Sequence, residues 1–156
     1  MPQRTKLTGR TWVTRRGVQI DRIASAWFIR RFLDPKARFR FIGSKGQGSR
    51  PNDIRFDMVD GDFTHEADRC TLETLLLRTG VRNPALTPIA EIVHDIDLKD
   101  GKFARPEAAG LERLLMGLLV SHPDDRGRLD RGFALFDALY HSFRSSKHAS
   151  KRGIRK

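Results

Sequence analysis

The chain has 156 residues and a mass of 17.8 kDa, with 38% hydrophobic and 31% charged residues, which suits one domain with a core under a charged surface. No apolar run approaches the roughly 20 residues of a membrane helix. The N-terminal MPQRTKLTGRTW lacks the apolar stretch of a signal peptide, so a cytoplasmic protein is expected. Cys70 is the single cysteine, which excludes an intramolecular disulfide and a multi-cysteine zinc site. The net charge of +11 sits at the ends: residues 1–20 hold five basic residues and no acid, residues 144–156 hold six and no acid, and 21–143 are neutral overall. Such ends suit weak, salt-dependent, nonspecific contact with nucleic acid through 1–20 and 144–156, or simply a solubilising tail.

In chain order, RTWVTRR at 10–16 reads as a strand ending at Gly17. Asp21 is a candidate N-cap for a helix in which Ile23, Ala26, Trp27, Arg30 and Phe32 follow helical spacing with Leu33, before Asp34-Pro35 stops it. RFRFI at 38–42 alternates as a half-buried strand, and GSKGQGSRPND is a loop. IRFDMV at 54–59 alternates again, with Ile54, Phe56 and Met58 on one side. The turn-rich DGDFTHEAD has room for a short edge strand. Helices then follow: CTLETLLLRTG to Gly80, PALTPIAEIVHDIDLKDG to Gly101, PEAAGLERLLMGLLVSHP, and DDRGRLDRGFALFDALYHSFR. The last carries Leu129, Phe133, Phe136, Leu139, Tyr140 and Phe143 on one stripe, read as core.

The expected fold is α/β, with α+β as the alternative: a sheet of three to four strands from the N-terminal half, packed on about five helices. The expected organisation is a basic arm at 1–9, one domain at 10–144 and a basic, disordered tail at 145–156. Within 111–120, Met116 and two adjacent leucine pairs suit either core or a homodimer face.

Acids cluster between Asp53 and Glu73, with seven acids against Arg55 and Arg69, and again over Glu91, Asp95, Asp97 and Asp100. Each patch carries a histidine, a combination that attracts cations. Cys70 and Glu73 are three residues apart at the start of one helix; His94 and Asp97 are three apart near the end of the next. Each pair shares a face. With His65 in the loop before the first pair, these five donors could converge on one cation, zinc, manganese or iron, with or without the thiol. Against this, H-x4-C-x2-E with H-x2-D is no standard signature. Asp21, Asp60 and Asp95 are placed as carboxylates backing the ligands, and Arg22, at a helix start, as an oxyanion contact. Asp57 is a further candidate beside Asp60. No phosphate-binding glycine loop and no supported nucleophile motif are present.

WVTRRGVQIDRIASAWFIRRFLDPKARFRFI at 12–42, THEADRCTLETLL at 64–76, IAEIVHDIDLKDGKF at 89–103, PEAAGLERLLMGL at 106–118 and DDRGRLDRGFALFDALYHSFR at 124–144 resemble the C-terminal domain of the ChrB chromate-resistance family. The resemblance implies a part in chromate response, with family-typical polar positions at Asp21, Arg22, His65, Cys70, Glu73, His94 and Asp97. It also implies a further N-terminal domain in full-length relatives, for which this chain has no room. The functions weighed are a metal- or oxyanion-binding domain of the chromate-resistance type, with chromate as an implied ligand; a small metalloenzyme, redox (superoxide-dismutase-like) or hydrolytic, at the same site; and a chromate-responsive regulator binding nucleic acid through the basic ends.

Overall fold

The structure is a computed structural model that describes residues 7–153, with side chains described through Ser145. Three parallel strands, β1 (Thr11–Arg15), β2 (Arg38–Ile42) and β3 (Ile54–Arg55), form a sheet in the order β2-β1-β3. Five helices accompany it: α1 (Ile20–Phe28), α2 (Thr71–Thr79), α3 (Leu86–Leu98), α4 (Ala108–Ser121) and α5 (Asp125–Gly153). This is the expected α/β architecture, with three strands among the described residues, within the three to four expected. No helix among the described residues is long and apolar enough to cross a membrane.

The central strand explains the layering. In register, Trp12 faces Phe39 and Ile54 while Val13 faces Arg40 and Arg55. Alternation sends Trp12 into the main core against the helices, and Val13 to a small second cluster with Ile42 and Met58. Helix α1 is buried nearly all round and packs against α2, α3 and α5. The stripe on α5 behaves as core: Leu129, Phe133 and Phe136 are buried, and Leu139, Tyr140 and Phe143 pack against them.

Five local expectations are corrected. Asp21 is not the N-cap of α1: Gln19 is, and Asp21 lies inside the first turn, where its side chain is free to serve another element. The helix from Ile20 does not continue as α to Leu33; residues Ile29–Leu33 form a π-helical turn closed by the Asp34 N–H to Ile29 O bond at 2.7 Å. The alternation read over 54–59 ends after Phe56, because Asp57 takes φ 48° and turns Met58 to the other face. Phe63 contributes an isolated bridge to Phe56 instead of an edge strand. At the C-terminus α5 continues to Gly153, through most of the segment expected as a loose tail. At the other end, Leu7 is anchored in the core, and residues 1–6 and 154–156 of the expected basic ends lie outside the described residues. On α4, Leu111 and Leu115 are core, whereas Leu114, Met116 and Val120 are exposed.

Asp34 does more than end a helix. Its buried carboxylate accepts the N–H groups of Gly9, Arg10 and Lys36 and the indole N–H of Trp12, at 2.6–3.1 Å. It therefore ties the chain entering β1 to the turn leaving the π-helical segment. Replacing it by alanine strands the buried Trp12 indole N–H and three partly buried backbone N–H groups at once; Asp34→Ala should cost on the order of 3 kcal/mol in urea unfolding, read as a lower midpoint at unchanged slope. A loss below about 1 kcal/mol would show that these donors find water instead.

Candidate metal centre

Helix α2 begins at Thr71 with its first N–H groups unpaired by its own backbone. A carboxylate from α1 meets them: Asp21 accepts the Thr71 N–H at 2.8 Å and the Leu72 N–H at 3.2 Å, and also the Ser25 hydroxyl at 3.4 Å. The helix dipole and these donors support a side chain that is only 3% exposed. Asp57 joins from the other side, where the Thr71 hydroxyl donates to its Oδ1 at 2.7 Å and the Arg22 Nε–H group approaches its Oδ2 at 3.0 Å. The positive φ of Asp57, tolerated by aspartate better than by most residues, is what swings it out of the strand pattern.

His65 completes the group from the loop before α2. Its Nε2 lies 3.1 Å from Asp21 Oδ2, 3.2 Å from Asp97 Oδ2 and 3.6 Å from Asp57 Oδ1. One imidazole nitrogen carries at most one proton and so satisfies one acceptor well. Asp97 Oδ2 is buried without a hydrogen-bond partner among the described residues. Asp21, Asp57 and His65 can each present one ligand atom within 4.8 Å of the others.

The electrostatics follow from this crowding. The hydrogen bond to Asp21 raises the His65 imidazole to about 9, helped by attraction to Asp97 and Asp57 and opposed by partial burial. Burial, then the Asp21 charge, pushes Asp57 up to about 6, against the Thr71 hydroxyl, Arg22 and His65. Asp97 is raised for the same leading reasons, burial and Asp21.

The five residues singled out by spacing divide between two neighbouring groups. His65 and Asp97 belong to the cluster above. Glu73 and His94 form another: His94 Nδ1 lies 2.7 Å from Glu73 Oε2, and its Nε2 lies 2.9 Å from Asp100 Oδ2. His94 is fully buried; burial pulls its pKa down, but the bonds to Glu73 and Asp100 outweigh this and raise it. Both ring nitrogens are engaged, so this ring is held as structure. Glu73 also accepts the Cys70 N–H at 2.8 Å, closing the first turn of α2. Cys70 sits in the hydrophobic core, and burial followed by the nearby Asp21 charge pushes its thiol up, so it stays protonated. Asp95 accepts the N–H groups of Phe103 and Arg105 and tethers the α3–α4 connection. Asp60 is exposed in a turn. Arg22 is turned inward to Asp57 and to the carbonyls of Asp57 and Gly17. Asp100 is the residue that spacing misses: Lys99 at φ 52° ends α3 and folds the chain back, which no helical periodicity signals.

Residues 12–143 match the family described as ChrB, C-terminal domain. The chain belongs to this family. Protein ChrB of Cupriavidus metallidurans is 36% identical over 145 residues, covering 92% of this chain and 44% of that relative. The chain thus spans less than half the length of that relative. No solved structure matches it. All the residues of both clusters, from Asp21 to Asp100, fall inside the stretch shared with the ChrB C-terminal-domain family.

The pairing has a definite pH signature. A histidine pKa raised from 6.5 to about 9 stabilises the fold fully below about pH 6.5, and that contribution is lost as pH rises through 9. Asp57 acts in the same direction over a lower range, costing stability as pH rises from about 4 to about 6. In metal-free protein the His65 ring should titrate by NMR with a midpoint near 9, and Asp21→Asn should bring it down toward 6.5. A wild-type midpoint near 6.5 would show that the ring is not paired with these carboxylates.

Proposed function

We propose that this ChrB C-terminal domain holds a divalent transition metal, zinc, manganese or iron, at Asp21, Asp57, His65 and Asp97, and that it serves chromate response through this centre. The observation that carries the reading is the single nitrogen, His65 Nε2, facing three carboxylate oxygens from three separate segments within 3.6 Å. Charge bookkeeping supports it. Three carboxylates against Arg22 and a protonated His65 leave one negative charge in a largely buried group. A divalent ion with neutral His65 balances the same carboxylates and Arg22. The donors are oxygen and imidazole nitrogen, which suit zinc, manganese and iron without a thiolate.

The chain's own residues define what each would do there. Asp21 is held by two N–H groups of α2 and so is fixed in place before any ion binds. Thr71 and Arg22 orient Asp57. His65, partly exposed on its loop, stands at the entrance. A metal held by a few protein ligands keeps positions for water or an oxyanion, and the family's association with chromate makes that oxyanion the natural one to offer.

Elemental analysis of protein equilibrated with each metal and then desalted tests the reading. Wild type should retain close to stoichiometric metal. His65→Ala and Asp57→Asn should lose at least about tenfold in affinity, the scale of one lost ligand contribution. Glu73→Gln, which alters the neighbouring His94 group and the Cys70 N–H contact but removes none of these four donors, should keep it. Absence of uptake by wild type, or equal uptake by all three variants, would overturn the assignment.

A further inference from the structure

A second constellation lies outside the metal centre, where the π-helical turn, β2 and the first turns of α5 meet. They enclose a cavity of about 340 Å3 whose lining includes Arg30, Arg38, Arg126, Phe39, Phe133 and Asp130. That volume falls in the range of small-molecule pockets, roughly 300–1,000 Å3, and exceeds what one tetrahedral oxyanion fills.

The three arginines differ from those held in ion pairs; Arg128 likewise bonds backbone carbonyls, of His122, Leu119 and Val18, but lies outside this lining. Arg22, Arg31, Arg40 and Arg105 each face a carboxylate: Asp57, Asp137, Asp53 and Glu107. Among the described residues, Arg30, Arg38 and Arg126 hydrogen-bond only backbone carbonyls, of Ala37 at 2.6 Å, Gly9 at 3.2 Å and Phe39 at 3.3 Å. Neutral acceptors orient a guanidinium without neutralising it. The Nε of Arg30 is buried with no hydrogen-bond partner among the described residues. Asp130 is the one acid in the lining, so the cavity carries an excess of positive charge.

The π-helical turn is what makes this possible. It widens the helix at Ile29–Leu33 so that Arg31 reaches Asp137 on α5 in a two-pronged pair while its neighbour Arg30 reaches back to Ala37 ahead of β2. The wall beside the guanidinium groups is aromatic. Phe39 and Phe133 meet edge to face at 6.1 Å, and Arg30 lies over Phe39 at 5.2 Å.

We infer that this cavity is a binding site for a small organic phosphate of mononucleotide size. The phosphate monoester is held by Arg30, Arg38 and Arg126, and the flat apolar portion lies along Ala37, Leu129 and the exposed edges of Phe39 and Phe133. Guanidinium groups match phosphate in charge and in paired N–H geometry, and the apolar part of the lining, Ala37, Leu129 and the exposed edges of Phe39 and Phe133, supplies contact that an inorganic ion cannot use.

Isothermal titration of the full chain with adenosine 5′-monophosphate, adenosine and inorganic phosphate is the test. Saturable binding of the nucleotide at one per chain is expected, with adenosine and phosphate each weaker by about tenfold or more. The double variant Arg38→Ala/Arg126→Ala should weaken nucleotide binding by about tenfold or more. The charge-matched variant Arg16→Ala/Arg113→Ala removes two exposed arginines elsewhere and should bind within about twofold of wild type. Unfolding curves of both variants establish that each is folded. No saturable nucleotide binding, equal loss in the two double variants, or phosphate or adenosine binding as tightly as the nucleotide would each overturn the proposal.

Discussion

The carboxylate of Asp21 is the constraint on which the rest of the site depends. It leaves the first turn of α1 and ends on the first N–H groups of α2, so the two helices are docked by a charge meeting a helix terminus. A buried carboxylate is costly unless its oxygens are fully bonded, and here both are engaged by Thr71, Leu72, Ser25 and His65. Once α2 is placed, Thr71 carries its hydroxyl to Asp57, and the loop before α2 carries His65 to the same spot. Asp97 arrives on α3. Four segments distant in sequence thus share one small volume because one side chain serves a helix other than its own.

The two histidine clusters look alike in composition and differ in how completely they are bonded. His94 has a carboxylate at each ring nitrogen, at 2.7 and 2.9 Å, and no solvent exposure. Its bonding capacity is used, and the group joins α2, α3 and the turn after α3. His65 presents one nitrogen to three carboxylates, and one oxygen of Asp97 is left without a hydrogen-bond partner among the described residues. The first arrangement is closed; the second has more negative charge than its own donors can satisfy. Polar networks in a low-dielectric interior are sensitive to that difference. It is the physical reason to separate a structural histidine from a candidate ligand when both lie among acids.

Neutrality over residues 21–143 conceals local fields of both signs. Around His65 the acids outnumber the bases. Around Arg30, Arg38 and Arg126 the reverse holds, with Asp130 the one acid in the lining. Several arginines elsewhere are absorbed into ion pairs: Arg31 with Asp137, Arg40 with Asp53, Arg105 with Glu107. Net charge over a domain says little about its sites, because unlike charges that balance on paper need not be near each other.

Sequence by itself determined the fold class, the core stripe of α5, the strand alternation in β1 and β2, and the histidine- and acid-rich character of the 53–100 region, since these depend on local periodicity and composition. Local spacing could also say that Cys70 and Glu73, or His94 and Asp97, lie near one face. Only the tertiary structure decided that His94 is held between Glu73 and Asp100 while Asp97 turns to His65. It alone decided that Asp21 caps α2 instead of α1, that Asp57 leaves the strand pattern through a left-handed φ, and that a π-helical turn parts Arg30 from Arg31. The reason is common to all of them. Helical spacing fixes which side chains are neighbours on one element, whereas partners from other elements, and single backbone turns such as Asp57 and Lys99, decide where each side chain finally spends its charge.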